Sequence, residues 1–314
     1  MLVKTNPVRP QPQPAPTRPR HPTSAPVFGL RTSDFGLRTS TAFTLLELLM
    51  VIAIMGILAA IALPTVRGMK PNAKVAATRQ LFDAVGRARQ LALSQRTTVY
   101  MVFLSTNFWK DSSYAYNSWT NSDQIAATGL LDKQLLGYAY VTLRSVGDQP
   151  GVRHPRYLSS WRTLAQGAYI PLEKFTPFNA AKPVPVLAYP GDNGRSNLVF
   201  GFNYTTAVPF PSETTPPLPT VRPYIALPYI AFDGMGQLVH ELNGPLAYEL
   251  SRQPELIPLA EGNISFARDP NSKVAVAQPP TVTERPPGNA LENYSLVYID
   301  RLTGRAKVER RKVQ

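Results

Sequence analysis

A single carboxylate stands inside a long apolar stretch near the start of the chain. Residues 43–63 read FTLLELLMVIAIMGILAAIAL, and Glu47 is the one ionisable side chain among them. At 1.5 Å per residue, a helix of this length is about 31 Å long, close to the hydrocarbon thickness of a bilayer. A carboxylate in lipid is costly unless a cation compensates it. The segment therefore predicts a transmembrane helix whose glutamate needs a cation from elsewhere.

The residues alone leave two interpretations of Glu47 open. Near the N-terminus of the helix, the carboxylate can reach the headgroup region, and the helix dipole stabilises a negative charge there. Alternatively, a cation on another molecule pairs with it. In a low dielectric such a pair attracts strongly, whereas a misplaced partner leaves two unpaired charges. In the second case Glu47 sets the register of an assembly and has no part in catalysis.

The residues around Glu47 are similar to the N-terminal signal of type IV pilins and type II secretion pseudopilins. That signal has a small residue before a cleaved bond, then Phe-Thr-Leu, a glutamate and an apolar run that ends near a proline. The corresponding residues here are Ala42, Phe43, Thr44, Leu45, Glu47 and Pro64. Glycine is more common before the cleaved bond, but Ala42 is small enough that we still expect cleavage.

The resemblance implies a processing step and an assembly step. A prepilin peptidase would cut between Ala42 and Phe43 on the cytoplasmic side, and the new amine of Phe43 would be N-methylated. An inner-membrane assembly platform would then move the helix into a filament with other pilin or pseudopilin subunits. In such filaments the carboxylate equivalent to Glu47 pairs with the N-terminal amine of a neighbouring subunit, which supplies the missing cation.

The segment before the predicted cut, residues 1–42, is basic and rich in proline. It has six Lys and Arg residues against Asp34, a net charge of 6 − 1 = +5, and eight prolines. The positive charge predicts a cytoplasmic N-terminus, and the prolines predict an extended arm without a packed core. Removing this leader leaves 314 − 42 = 272 residues with a net charge of 13 − 5 = +8.

The resemblance implies an α+β, pilin-like fold with a long N-terminal helix packed on an antiparallel β-sheet. Residues 43–66 would be the transmembrane helix and filament core, and residues 67–96, with apolar residues every three to four positions, its amphipathic continuation. We expect a kink or local unwinding at Pro64 and a second weak point around Gly68 and Pro71. Residues 97–314 would form a β-rich exported domain in the periplasm.

Several segments of the exported part predict strands, because they are rich in β-branched and aromatic residues. The predicted strands are residues 97–104, 138–144, 184–189, 197–204, 224–232, 237–242, 263–267 and 273–277. Residues 88–103, the glycine turn in 230–238 and the two short strands in 296–308 resemble the GspH and FimT pseudopilins. This subfamily is our most specific expectation.

The sequence offers little for catalysis or for a cofactor. It has no phosphate-binding glycine loop, nucleophile elbow or zinc-binding helix. It contains no cysteine, and its three histidines are far apart, so we expect neither a metal site nor an enzyme. Asp192, Asn193 and Asn197 suit a plain turn better than a calcium loop. The chain is therefore expected to be a structural subunit, a minor pseudopilin in the bacterial inner membrane.

The basic C-terminus supports an alternative function. A dense run of cations would attract phosphates and release counterions, and some FimT-like minor pilins bind DNA through basic residues of this region. The cations here are Arg301, Arg305, Lys307, Arg310, Arg311 and Lys312. A DNA-uptake pilin is thus the second hypothesis, against a solvated charged tail.

Overall fold

The computed structural model describes residues 44–68, 73–106, 108–110, 121–144, 147–149, 154–179, 184–190, 196–210, 224–240, 253–292 and 294–310. The chain divides into two units, residues 1–63 and 64–314, with the boundary inside the first helix. The leader, Ala42 and Phe43 lie outside the described residues.

The described residues contain α-helices α1 (Leu45–Gly68), α2 (Ala73–Gln95), α3 (Asn121–Thr128) and α4 (Asn289–Glu292). The helical backbone of α1 continues through Pro64, so of the two predicted alternatives, a kink or local unwinding, the unwinding does not occur. Instead α1 ends at Gly68, the second predicted weak point. The side chains of α1 are described from Leu45 to Ile57. Among the described residues, no helix has the length and apolarity needed to cross a membrane.

Fifteen strands are described. They are β1 (Val99–Phe103), β2 (Gly137–Thr142), β3 (Arg156–Tyr157), β4 (Arg162–Thr163), β5 (Ala168–Tyr169), β6 (Leu187–Pro190), β7 (Ser196–Val199), β8 (Ala207–Pro209), β9 (Tyr224–Ala226), β10 (Tyr229–Phe232), β11 (Leu238–Val239), β12 (Glu255–Ser265), β13 (Thr281–Glu284), β14 (Ser295–Ile299) and β15 (Ala306–Arg310).

The strands form two larger antiparallel sheets and two hairpins. The first sheet has the order β11-β10-β1-β2-β3, and β4 also pairs with β2. The second has the order β13-β12-β14-β15, and β5 also pairs with β12. The strand pairs β6–β7 and β8–β9 complete the described sheets. The expected α+β class with antiparallel sheets is confirmed.

Strand β1 shows that the first sheet is buried on both faces. Alternate side chains of a strand point to opposite faces, and every residue of β1 is buried. Val99, Met101 and Phe103 lie in one apolar cluster, whereas Tyr100 and Val102 lie in another. Both faces of this sheet are therefore covered.

Helix α2 contributes its apolar face to the cluster that includes Met101. Its buried residues Leu81, Val85, Ala88 and Ala92 recur at helical spacing and pack with residues of both larger sheets. The amphipathic pattern predicted for residues 67–96 is thus satisfied inside the second unit.

Some predicted strands differ from the observed ones. The predicted strand 224–232 is two strands, β9 and β10, separated by Leu227 and Pro228. Residues 273–277 form an isolated bridge between Arg268 and Ala275 and not a strand. Of the predicted strand 263–267, only residues 263–265 are in a strand, as the end of the long β12, whose first half was not predicted. Helix α3 was not predicted either.

Candidate assembly site

The N-terminus of α1 is capped by Thr44. The backbone N–H of Glu47 donates to Thr44 Oγ1 at 3.2 Å, and the N–H of Leu48 donates to the Thr44 carbonyl at 3.1 Å. Threonine at the N-cap and glutamate three residues later is the spacing of a capping box. Glu47 therefore lies in the first turn of the helix, where the helix dipole favours its negative charge.

The helix that carries Glu47 exposes apolar side chains on all sides. Every described side chain from Thr44 to Ile57 is exposed, and Leu45 reaches 82%. A helix that is hydrophobic all round is normally buried in a large core or in a membrane, and large exposed apolar patches mark interaction sites. This segment is therefore apolar surface that the described part of the chain leaves exposed.

The cation predicted for Glu47 is not found within the described part of the chain. None of the hydrogen bonds or ion pairs of the described residues involves the Glu47 carboxylate. The predicted partner is the amine of Phe43, created by cleavage after Ala42, and both residues lie outside the described ranges. Cleavage, methylation and this pairing stay predictions.

Four of the six residues of the basic C-terminal cluster lie in the described part of the chain, Arg310 through its backbone only. Arg301 is half-buried and Arg305 is exposed, whereas Arg311 and Lys312 lie outside the described residues. The Lys307 ammonium is 2.6 Å from Glu309 and lies 4.2 Å from the centre of the Tyr298 ring. Arg310 belongs to β15 through its backbone. Lys307 thus has a carboxylate partner, and phosphate binding by this cluster stays a prediction.

Helix α2 and the segments 230–238 and 296–308 meet in space. The Arg89 Nε of α2 donates to the Thr303 carbonyl at 2.7 Å, and the Leu238 N–H donates to the Arg301 carbonyl at 2.9 Å. A Cβ on Gly304 would collide with the Gly236 carbonyl. The two predicted glycine turns therefore contact each other directly, beside α2.

A buried ion pair joins Lys174 and Glu255, and the sequence did not predict it. The Lys174 ammonium pairs with Glu255, donates to the Phe200 carbonyl at 2.8 Å and lies 4.5 Å from the centre of the Phe202 ring. Burial lowers the pKa of Lys174, and the Glu255 carboxylate opposes that shift. The two residues are 81 positions apart. No motif links them, so only the fold could bring them together.

His240 lies beside this pair. Burial lowers the pKa of its imidazole, Lys174 and Arg301 lower it further, and Glu255 and a hydrogen bond with the Gln253 backbone raise it. Its Nε2 is buried and has no hydrogen-bond partner among the described residues. No group of histidines and carboxylates suited to a metal ion occurs among those residues.

Comparison with known proteins identifies the N-terminal region. Residues 37–63 match the family model described as the prokaryotic N-terminal methylation motif. Comparisons with curated proteins and with solved structures give no match. The motif implies processing by a prepilin peptidase and assembly with other pilins, and it contains Ala42, Phe43 and Glu47. Residues 37–63 are thus a type IV pilin-like prepilin signal.

Proposed function

We propose that the protein is a minor pseudopilin of a type II secretion pseudopilus or a related type IV pilus-like filament. The observation that carries this proposal is the position of Glu47. It lies within the matched methylation motif and in the first turn of a helix whose described apolar side chains are all exposed. A helix of this kind supplies both an apolar surface and one charge for contacts with other subunits.

In the proposed assembly, cleavage after Ala42 frees the amine of Phe43, which is then methylated. Before assembly, α1 anchors the chain in the inner membrane with the second unit in the periplasm. In the filament, the Glu47 carboxylate pairs with the Phe43 amine of a neighbouring subunit. A subunit out of register would bury both charges without partners, which is costly. The pairing thus selects one register.

The GspH and FimT subtype is the finer part of the proposal. It is supported by the contact between the turns at Gly236 and Gly304 and by the bond from Arg89 to Thr303. These contacts join the three resembling segments into one structural unit. We propose a structural role without catalysis, because the matched motif concerns processing and assembly.

The test is incorporation of Glu47→Gln into filaments in cells. The amide keeps the shape of the side chain and removes its charge, so we expect normal cleavage but at least a roughly tenfold loss of incorporation, as a lost buried charge pair implies. Glu173→Gln, an exposed glutamate of the second unit, is the matched control and should assemble normally. Normal assembly of Glu47→Gln would exclude the register role.

Intact-mass measurement of the extracted protein tests the processing step separately. We expect a methylated chain that begins at Phe43. A mature chain that retains Met1 would contradict the assignment even if Glu47→Gln were defective.

A further inference from the structure

A second surface of the molecule has the features of a binding groove. It is a groove of about 1070 Å³ between the outer side of α2 and the strands β2 and β4. Gln80 of α2 fixes one side by donating from Nε2 to the Thr163 carbonyl of β4 at 2.7 Å. The groove lies entirely within the second unit and does not include the methylation motif.

Three arginines line this groove. Arg79 and Arg87 come from α2 and Arg162 from β4, and all three are exposed. Their guanidinium groups make no hydrogen bond or ion pair in the described part of the chain. Asp83 is the one carboxylate in the lining. The groove is therefore positively charged. The N–H donors of its three guanidinium groups have no acceptor among the described residues.

The spacing of these cations suits a chain molecule. Arg79 and Arg87 are eight positions apart on one helix, which corresponds to about 12 Å. An extended peptide covers that distance in about four residues. Guanidinium groups bind carboxylates through two parallel hydrogen bonds, so acidic residues a few positions apart could engage both.

Gly86 lies between the two arginines of α2 and faces open space. A Cβ at this position would meet nothing within 4 Å. Glycine inside a helix costs about 1 kcal/mol relative to alanine, and no contact with the described residues requires it here. Its absence of a side chain leaves room for another molecule to approach the helix backbone.

The exposure of the aromatic rings in the groove favours an acidic peptide over single-stranded nucleic acid as the partner. Tyr138, Tyr140 and Trp161 form its floor and are at most 8% exposed, so their faces cannot stack with bases as single-stranded nucleic acid requires. Phe82 is 38% exposed and offers an apolar contact at the rim. This combination of cations and an exposed apolar side chain fits a peptide that is both acidic and apolar.

We propose that this groove binds an acidic segment of a partner protein in extended conformation. The carboxylates of that segment bind Arg79, Arg87 and Arg162, and an apolar side chain packs on Phe82 above Gly86. The proposal does not depend on the function of the N-terminal helix, and a failure of either leaves the other intact.

The test is fluorescence anisotropy with the full chain in nonionic detergent. The probe is a fluorescein-labelled dodecapeptide of alternating glutamate and leucine, with an alternating glutamine and leucine peptide and a twelve-nucleotide single-stranded DNA as comparisons. We expect the acidic peptide to bind at least about tenfold more tightly than the other two, as charge-assisted hydrogen bonds imply. Equal binding of the glutamine peptide, or tighter binding of the DNA, would overturn the proposal.

Two variants locate the peptide. Arg79→Gln with Arg87→Gln should weaken binding about tenfold, because two guanidinium forks are lost. Gly86→Leu should weaken it comparably by filling the groove, while the melting temperature stays the same or rises, since leucine is a better helix former. Arg305→Gln, an exposed arginine outside the groove, should change the Kd less than about twofold, as screened surface charges do. Binding that survives Gly86→Leu, or falls equally with Arg305→Gln, would exclude this groove.

Discussion

Helices α1 and α2 follow one another in the chain, but they differ in where their apolar surface can be covered. The described side chains of α1 are exposed on every side, whereas α2 buries Leu81, Val85 and Ala88 in a core made with both larger sheets. An apolar surface that the described part of the chain leaves exposed is typical of a site that contacts other molecules. The first helix is thus built for assembly, and the second for the fold.

The same contrast holds for two glutamates. Glu47 has no cation partner within the described residues, while Glu255 is paired with the buried Lys174. One carboxylate needs another molecule, and the other is neutralised by a lysine of its own unit. The two glutamates and the two helices each give one test, and the buried His240 gives a third.

The largest expected effect comes from the buried pair. Glu255→Gln leaves the Lys174 ammonium without its counter-charge, and breaking a buried pair in this way costs about 3 to 5 kcal/mol. Glu47→Gln should leave the unfolding free energy of the second unit unchanged. Chemical denaturation of both variants checks this, and a similar loss in the two would remove the contrast between the glutamates.

Truncation of one leucine in each helix gives the next largest effect. Leu81 is fully buried, so Leu81→Ala should lower the free energy of unfolding by about 2 to 5 kcal/mol. Leu49 is 62% exposed, and Leu49→Ala should change it by less than about 0.5 kcal/mol. Denaturation curves followed by tryptophan fluorescence measure both. A costly Leu49→Ala would show that the first helix packs on its own chain.

The smallest expected effect is a pH dependence caused by His240. Its pKa in the fold lies below the ordinary value of 6.5, so below pH 6.5 the unfolded chain binds a proton that the folded chain does not. Stability should therefore fall as the pH drops from about 7.5 to about 5.5. Melting temperatures across this range should change less in His240→Gln, and an unchanged slope would exclude His240 as the cause.

The sequence predicted the local features of this fold well. The β-branched and aromatic residues around Val99 and the glycine turns at Gly236 and Gly304 appear as β1 and as two hairpins. These features depend on neighbours in the chain, on side-chain period and on turn residues. The helical pattern of α2 succeeded for the same reason.

The misses have a different origin. Proline disfavours a helix interior, yet α1 continues through Pro64. Strand β12 begins at Glu255, a charged residue next to a proline, because β14 pairs with it and Lys174 neutralises its carboxylate. Glu255 departs from a local preference and is stabilised by distant contacts, which sequence periodicity does not reveal.

The sequence by itself determined the methylation motif at residues 37–63, since the signal is a contiguous string of residues that needs no fold to be recognised. It also determined that Glu47 stands alone in an apolar stretch. Only the tertiary structure decided which arginines remain without partners in the groove beside α2 and which lysine neutralises Glu255. Those relations join residues far apart in the chain, and packing alone sets their distances.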